Sequence, residues 1–225
     1  MVHAKIIYAQ SRQAGVTRTG FLARWREHGA VAMQQPDFFG SVLRYVQADV
    51  IDTATTGPGD ARSYDGVGEI VYPSRSDLDT AYASPGLHEV VAPHGATIFG
   101  SPHPLRMVAD EHVAWCDHRA SAKLYVWVRR PEGETHKAFQ GRWAASCMGW
   151  ATDAGIRARV RSCVRDVPAD ADSDFDGIEE TTFDTFEAAR TAMNDPAFLV
   201  RSLVPAATIT ILAQQVVLLD TTHFG

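Results

Sequence analysis

Two rhythms organise the apolar positions of this chain. In RYVQADV (44–50) and GVGEIVY (66–72) successive residues divide onto two faces, the two-residue period of a strand. In GFLARWREHGAVA (20–32), Phe21, Trp25 and His28 recur at three-to-four spacing, the stripe of a helix that packs on a sheet. Extended along the first half, these periods predict a strand at 4–10, a helix over about 18–32, a strand near 43–50, a strand at 66–72, a helix at 75–84 and a strand near 111–117. Gly29, directly after His28, reads as a helix stop, and VIDTATTGPGDARS (50–63) as a loop.

The pattern then repeats. AKIIYAQ (4–10) matches AKLYVWV (122–128) and FLARW (21–25) matches FQGRW (139–143), both at an offset of 118, while YDGVGEI (64–70) matches FDGIEET (175–181) at an offset of 111. Two β-α-β-β-α-β runs predict an α+β fold of two tandem ferredoxin-like repeats, residues 1–119 and 120–225, the first the active half and the second divergent. Each such sheet has one bare face, so the two copies are expected to close face to face into an intramolecular barrel, with a small-molecule site in its interior.

Composition narrows the partners. The chain has 225 residues, 45% hydrophobic and 21% charged, enough for a proper core. A net charge of -6, with no basic run longer than Arg129-Arg130, argues against nucleic acid. MVHAKIIYAQSR turns polar at Gln10 before a secretory apolar core is built, and no stretch approaches a membrane span, so a cytoplasmic protein is expected. Cys116, Cys147 and Cys163 form no CxxC pair and read as free thiols. The phosphate-loop, nucleophile-elbow and dinucleotide motifs are missing, and the histidine spacings fit no metal signature. The alternating acids of DVPADADSDFDG (166–177) lack the glycine and glutamate of a calcium loop and read as a solvated connection.

Taken in order, GVTRTGFLARWREHGAVA, RYVQ, YDGVGEIVYPSRSDLDTAYASP and VADEHVAWCD resemble the EthD family of the dimeric α+β barrel superfamily. Ala30 stands where that family often has proline. The second copy lacks the histidine, tyrosine and glutamine, with Cys147, Ser162 and Val164 in roughly the places of His28, Tyr45 and Gln47. The resemblance implies a cofactor-free barrel acting on aromatic or polyketide-like molecules, as a monomeric pseudo-dimer or a homodimer.

His28 is the first candidate for a catalytic acid or base, because an imidazole titrates near neutrality and this one is missing from the twin helix. Tyr45 and Gln47 share a strand face and are expected to look into the barrel and hold a phenol or carbonyl oxygen. Arg24, Tyr72, His88 and His94 are further candidates for substrate contact; His88 and His94 belong to a lengthened segment (86–112) that reads as a short helix and a stiffened loop over the cavity. His103, between prolines, reads as surface. Glu69, aligned with Glu180, has a structural duty by its repetition, and Asp65-Gly66 and Asp176-Gly177 read as strand-entry turns. A cofactor-independent lyase or cyclase is the leading expectation; a non-catalytic binding module and a haem or oxygen-using barrel are the alternatives.

Overall fold

The computed structural model describes residues 2–56, 64–100, 105–116, 120–170, 173–195, 198, 203 and 207–222. The chain forms two compact units. One comprises Met1–Asp49, Ser63–Val108 and Val216–Gly225, and the other Val50–Arg62 and Ala109–Gln215.

In the first unit, β1 (His3–Gln10) and β2 (Arg44–Thr56, to Asp49 here) both pair antiparallel with β3 (Gly66–Tyr72). Ile6 and Tyr45 flank Ile70, and Tyr8 and Gln47 flank Gly68. These side chains form the face on which α1 (Arg18–Met33), α2 (Pro36–Phe39) and α3 (Arg75–Tyr82) pack, through Ala32, Phe38, Phe39, Leu78 and Ala81. Lys5, Val67, Glu69 and Val71 are buried on the opposite face. A π-helical turn (Gly86–Val91) and α4 (Ala92–Ala96) complete the helical layer.

In the second unit, β5 (Ala122–Arg129) and β6 (Ser162–Pro168) pair with β7 (Gly177–Phe183), and β8 (Ala207–Asp220) pairs with β5 through residues 207–214. The later part of β4 (Leu105–Trp115) pairs with β6. α5 (His136–Thr152), α6 (Ala154–Arg157) and α7 (Phe186–Asn194) accompany this sheet. The β-α-β-β-α-β order thus holds in both halves of the sequence.

The longer helices start where a hydroxyl can accept an orphan N–H. Thr17, Ser74, Thr135 and Thr185 accept from Gly20, Asp77, Ala138 and Ala188 respectively. The repeated words turn out to be packing units. The Trp25 ring lies where a side chain at Gly66 would be, since a Cβ there would stand 2.0 Å from it, and Trp143 lies over Gly177 in the same way, at 2.1 Å. Beside each glycine an aspartate fastens the incoming strand: Asp65 accepts from the backbone and guanidinium of Arg12, and Asp176 from those of Arg130. Glu69 pairs with Lys5 at 3.2 Å and Glu180 with Lys123 at 2.7 Å, all four side chains buried.

Four boundaries depart from the sequence reading. α1 runs through Gly29 to Met33, because that glycine lies against the sheet: a Cβ on it would stand 2.7 Å from Gln47 Nε2 and 3.2 Å from Tyr45. β2 continues to Thr56, where polar Asp52, Thr53 and Thr55 mimic loop composition. β4 begins at Leu105, six residues early. The segment expected as a stiffened loop is helical to Ala96 and then tied by a Phe99–Arg12 bridge, with His103 outside the described residues. Cys147 and Cys163 are buried free thiols with their sulfurs 4.0 Å apart, and Cys116 is partly buried.

Candidate functional site

The first unit contains a cavity of about 310 Å³ between its sheet and its helical layer. Ile6, Tyr8, Tyr45 and Ile70 form its floor, and His28, Val91 and Phe99 contribute to the helical side. Tyr82 and Arg106 also line it, with the Arg106 side chain exposed and its guanidinium 5.4 Å from the Tyr82 ring centre, which places this pair at the mouth. This corrects the expectation that Tyr45 and Gln47 look into a barrel interior: their strand face is the one the helices cover. Alternation divides a strand into two faces but does not say which face receives the helices.

His28 is 6% exposed. Its Nδ1 stands 3.1 Å from Nδ1 of His94, with the two rings parallel to within 6°, and its ring meets Phe99 edge-on. Burial, with the neighbouring His94 second, lowers the His28 pKa to about 4, so the imidazole is neutral at pH 7. With both rings neutral, one proton lies between the two Nδ1 atoms, and the donating ring carries a bare Nε2. A proton taken up there gives an imidazolium whose Nδ1–H still points at its neighbour, now as a charge-assisted bond. A second proton would set two N–H groups against each other. The contact therefore survives protonation of one ring but not of both.

Facing it, the tyrosine hydroxyls are aimed by a polar chain. Arg26 donates to Gln47 Oε1 at 2.7 Å and pairs with Asp49, which turns the Gln47 amide nitrogen towards Trp25 O (2.9 Å) and Tyr45 Oη (2.7 Å). Both amide hydrogens are then used, so the Tyr45 oxygen accepts and its own hydrogen is left to give. Burial pushes the Tyr45 pKa up to about 12, against the lowering effects of Gln47 and Tyr8, and burial with the adjacent Tyr45 raises that of Tyr8 well above the ordinary range. Both remain protonated phenols at neutral pH, and a hydrogen bond joins them: Tyr8 gives its hydrogen to the Tyr45 oxygen, which leaves the Tyr45 O–H as the donor to the cavity.

The structure therefore brings His28, Tyr45 and His94 together, with Gln47 behind Tyr45. Three other candidates lie apart from the cavity lining. Arg24 donates to the carbonyl and hydroxyl of Thr97 and braces the end of α4. Tyr72 is fully buried among the sheet and α2. His88 is exposed on the π-helical turn. Sequence reasoning missed Tyr8, Tyr82 and Arg106: Tyr8 sits among apolar residues that read as ordinary core, and nothing in the pattern assigns Arg106 to the first sheet's mouth. Among the described residues no group of three or more His, Cys, Asp or Glu is disposed to hold a metal ion.

The second repeat fills the corresponding space. Strand register makes Cys163 and Arg165 the counterparts of Tyr45 and Gln47, one place on from the Ser162 and Val164 that the sequence reading chose. Cys147 takes the inward position of Gly29, and Glu179 that of Gly68, where it accepts from Trp143 Nε1 at 2.9 Å. The glycines that make room in one copy are side chains in the other.

Residues 13–102 match the family model of the EthD domain. This part of the chain is similar to the EthD domain. It contains the cavity's helical side and half of its floor, Tyr45 and Ile70, with Ile6 and Tyr8 supplied by β1 before it. No curated protein matches the chain. Among solved structures, an anthrone oxidase-like protein is 11% identical with a TM-score of 0.62, covering 99% of this chain and 96% of that one. A monooxygenase-like protein of Lactobacillus acidophilus is 10% identical with a TM-score of 0.56, covering 98% and 96%. A variant of chlorite dismutase from Candidatus Nitrospira defluvii is 10% identical with a TM-score of 0.56, covering 95% and 91%. At such identities the likeness shows the fold, which is the α+β fold of two ferredoxin-like repeats, of the dimeric α+β barrel type. No described helix is long and apolar enough to cross a membrane.

Proposed function

We propose that the first unit's cavity binds a small aromatic or polyketide-like molecule and that His28, backed by His94, moves a proton on it without a cofactor. The observation that carries this reading is the 3.1 Å contact between Nδ1 of His28, which lines an apolar cavity, and Nδ1 of His94 behind it, with the Tyr45 hydroxyl on the floor of the same cavity. With His28 donating at Nδ1, its bare Nε2 accepts a proton from the substrate, the substrate keeps the electron pair, and Tyr45 O–H donates to the oxygen on which that charge collects. The proton then returns to the carbon that loses CO2 in a decarboxylation, to the hydroxyl that leaves as water in a dehydration, or to the alkoxide left by the new carbon–carbon bond in an aldol cyclisation, a lyase or cyclase outcome.

The names of two structural relatives, one anthrone oxidase-like and one monooxygenase-like, favour a second reading with the same first step, in which the substrate carbanion passes its electrons to molecular oxygen. Oxygen uptake during turnover separates the two.

The experiment is turnover of a panel of phenolic and polyketide-like acids by wild type and His28→Ala. We expect kcat to fall about 10²- to 10⁴-fold, the usual worth of a positioned acid or base. An unchanged kcat removes His28 from the mechanism.

A further inference from the structure

The cavity's wall is neutral except at one point. Its titratable side chains are Tyr8, His28, Tyr45, Tyr82 and Arg106 among the described lining residues. Burial keeps the tyrosines as phenols, Arg106 only partly offsetting that effect on Tyr82, and keeps the histidine uncharged at pH 7. Among the described lining residues Arg106 is the single formal charge, on the wall of a compartment whose apolar lining includes Ile6, Phe38, Ile70, Leu87, Val91 and Phe99.

Its placement is that of a recognition group. β4 delivers Arg106 to the open end of the cavity, and the guanidinium lies over the Tyr82 ring. A guanidinium carries five N–H donors in one plane, so Arg106 can hydrogen-bond the Tyr82 side chain beside it and still present a fork that receives a carboxylate with two parallel hydrogen bonds. Behind it, an apolar compartment of about 310 Å³ is at the small end of ligand sites and suits one or two fused rings.

We infer that the substrate of this cavity is an aromatic carboxylic acid, its ring enclosed between sheet and helices and its carboxylate held by Arg106 at the mouth. This rests on the reading of the cavity as a small-molecule site, and it adds the charge and the orientation of what enters. The ring is directed inwards, towards His28 and the two tyrosine hydroxyls. The carboxylate stays at the rim, where one face of it remains hydrated. A negative charge brought to this apolar compartment also favours the protonated form of the histidine, so an acid makes His28 a better proton acceptor than a neutral analogue does.

The test uses 2-naphthoate and its neutral isostere 2-naphthamide as probes, with dissociation constants measured by calorimetry at pH 7 for wild type, Arg106→Gln and Arg106→Lys. Wild type should prefer the acid by at least about tenfold, the worth of a charge-assisted pair. Arg106→Gln should abolish that preference while leaving the affinity for the amide unchanged, and Arg106→Lys should retain part of it. Equal affinities in wild type, or a preference that survives in Arg106→Gln, would overturn the inference. Failure of both probes to bind would overturn it together with the small-molecule reading of the cavity. Selective binding of the acid by a protein whose turnover is indifferent to His28→Ala would support this inference and sink the proton-transfer mechanism alone.

Discussion

His28 and His94, 66 positions apart, face each other through their Nδ1 atoms at 3.1 Å, one ring on the helix that packs on the sheet and the other on the short helix that walls the cavity. Through this contact the proton affinity of a cavity residue depends on a neighbour in another element.

The pair ties folding to pH. His28 has a folded pKa of about 4 against 6.5 when free, so between those values the unfolded chain binds the extra proton. Its contribution is fully present above pH 6.5 and is lost as pH falls towards 4, on the order of 3 kcal/mol at most. Urea midpoints at pH 7 and pH 4.5 should drop further for wild type than for His28→Phe. Parallel losses would contradict this origin.

His94 is the second cause of the lowered pKa. In His94→Asn the His28 ring should therefore titrate above pH 4, as followed by the NMR shift of its Cε1 proton. A titration at or below the wild-type midpoint would show that burial alone governs it.

Gly68 keeps the floor clear. A Cβ there would stand 2.2 Å from Tyr8 Cζ, so Gly68→Ala must push that ring away from the strand. We expect a stability loss of about 1–3 kcal/mol in thermal unfolding, as for other overpacked cores, and weaker naphthoate binding. Wild-type binding in a destabilised Gly68→Ala protein would mean that Tyr8 gives way without entering the cavity.

On the opposite sheet face, Lys5 and Glu69 have no side-chain exposure. Lys5→Met should cost about 3–5 kcal/mol, because it leaves a carboxylate buried without its cation, and adding Glu69→Leu should recover most of that. Denaturant titration of the single and double variants decides it; a double variant no more stable than the single would show that the carboxylate is held by its other surroundings.

Much of this protein is local. Strand and helix periods, threonine and serine caps, and the paired Trp25–Gly66 and Trp143–Gly177 contacts follow from residue type and spacing, which is why the repeat and the EthD resemblance were legible in the sequence. The structural duty of Glu69 and Glu180 was also legible, since a group kept in the copy without the histidine cannot depend on it; both pair with the repeated lysines. Tyr45 lines the cavity from the helix-covered side of the sheet and not from a barrel interior, and Arg24, on α1, has its partner at Thr97, 73 positions away.

The sequence by itself determined the element order, its duplication, and the histidine that distinguishes the first copy, because these are set by neighbours within a few residues. Tertiary structure alone decided that the helices cover the Tyr45 face, that His94 reaches His28, and that Arg106 stands at the mouth. Each of those depends on contacts between distant segments, and packing across a sheet leaves no period in the chain to read.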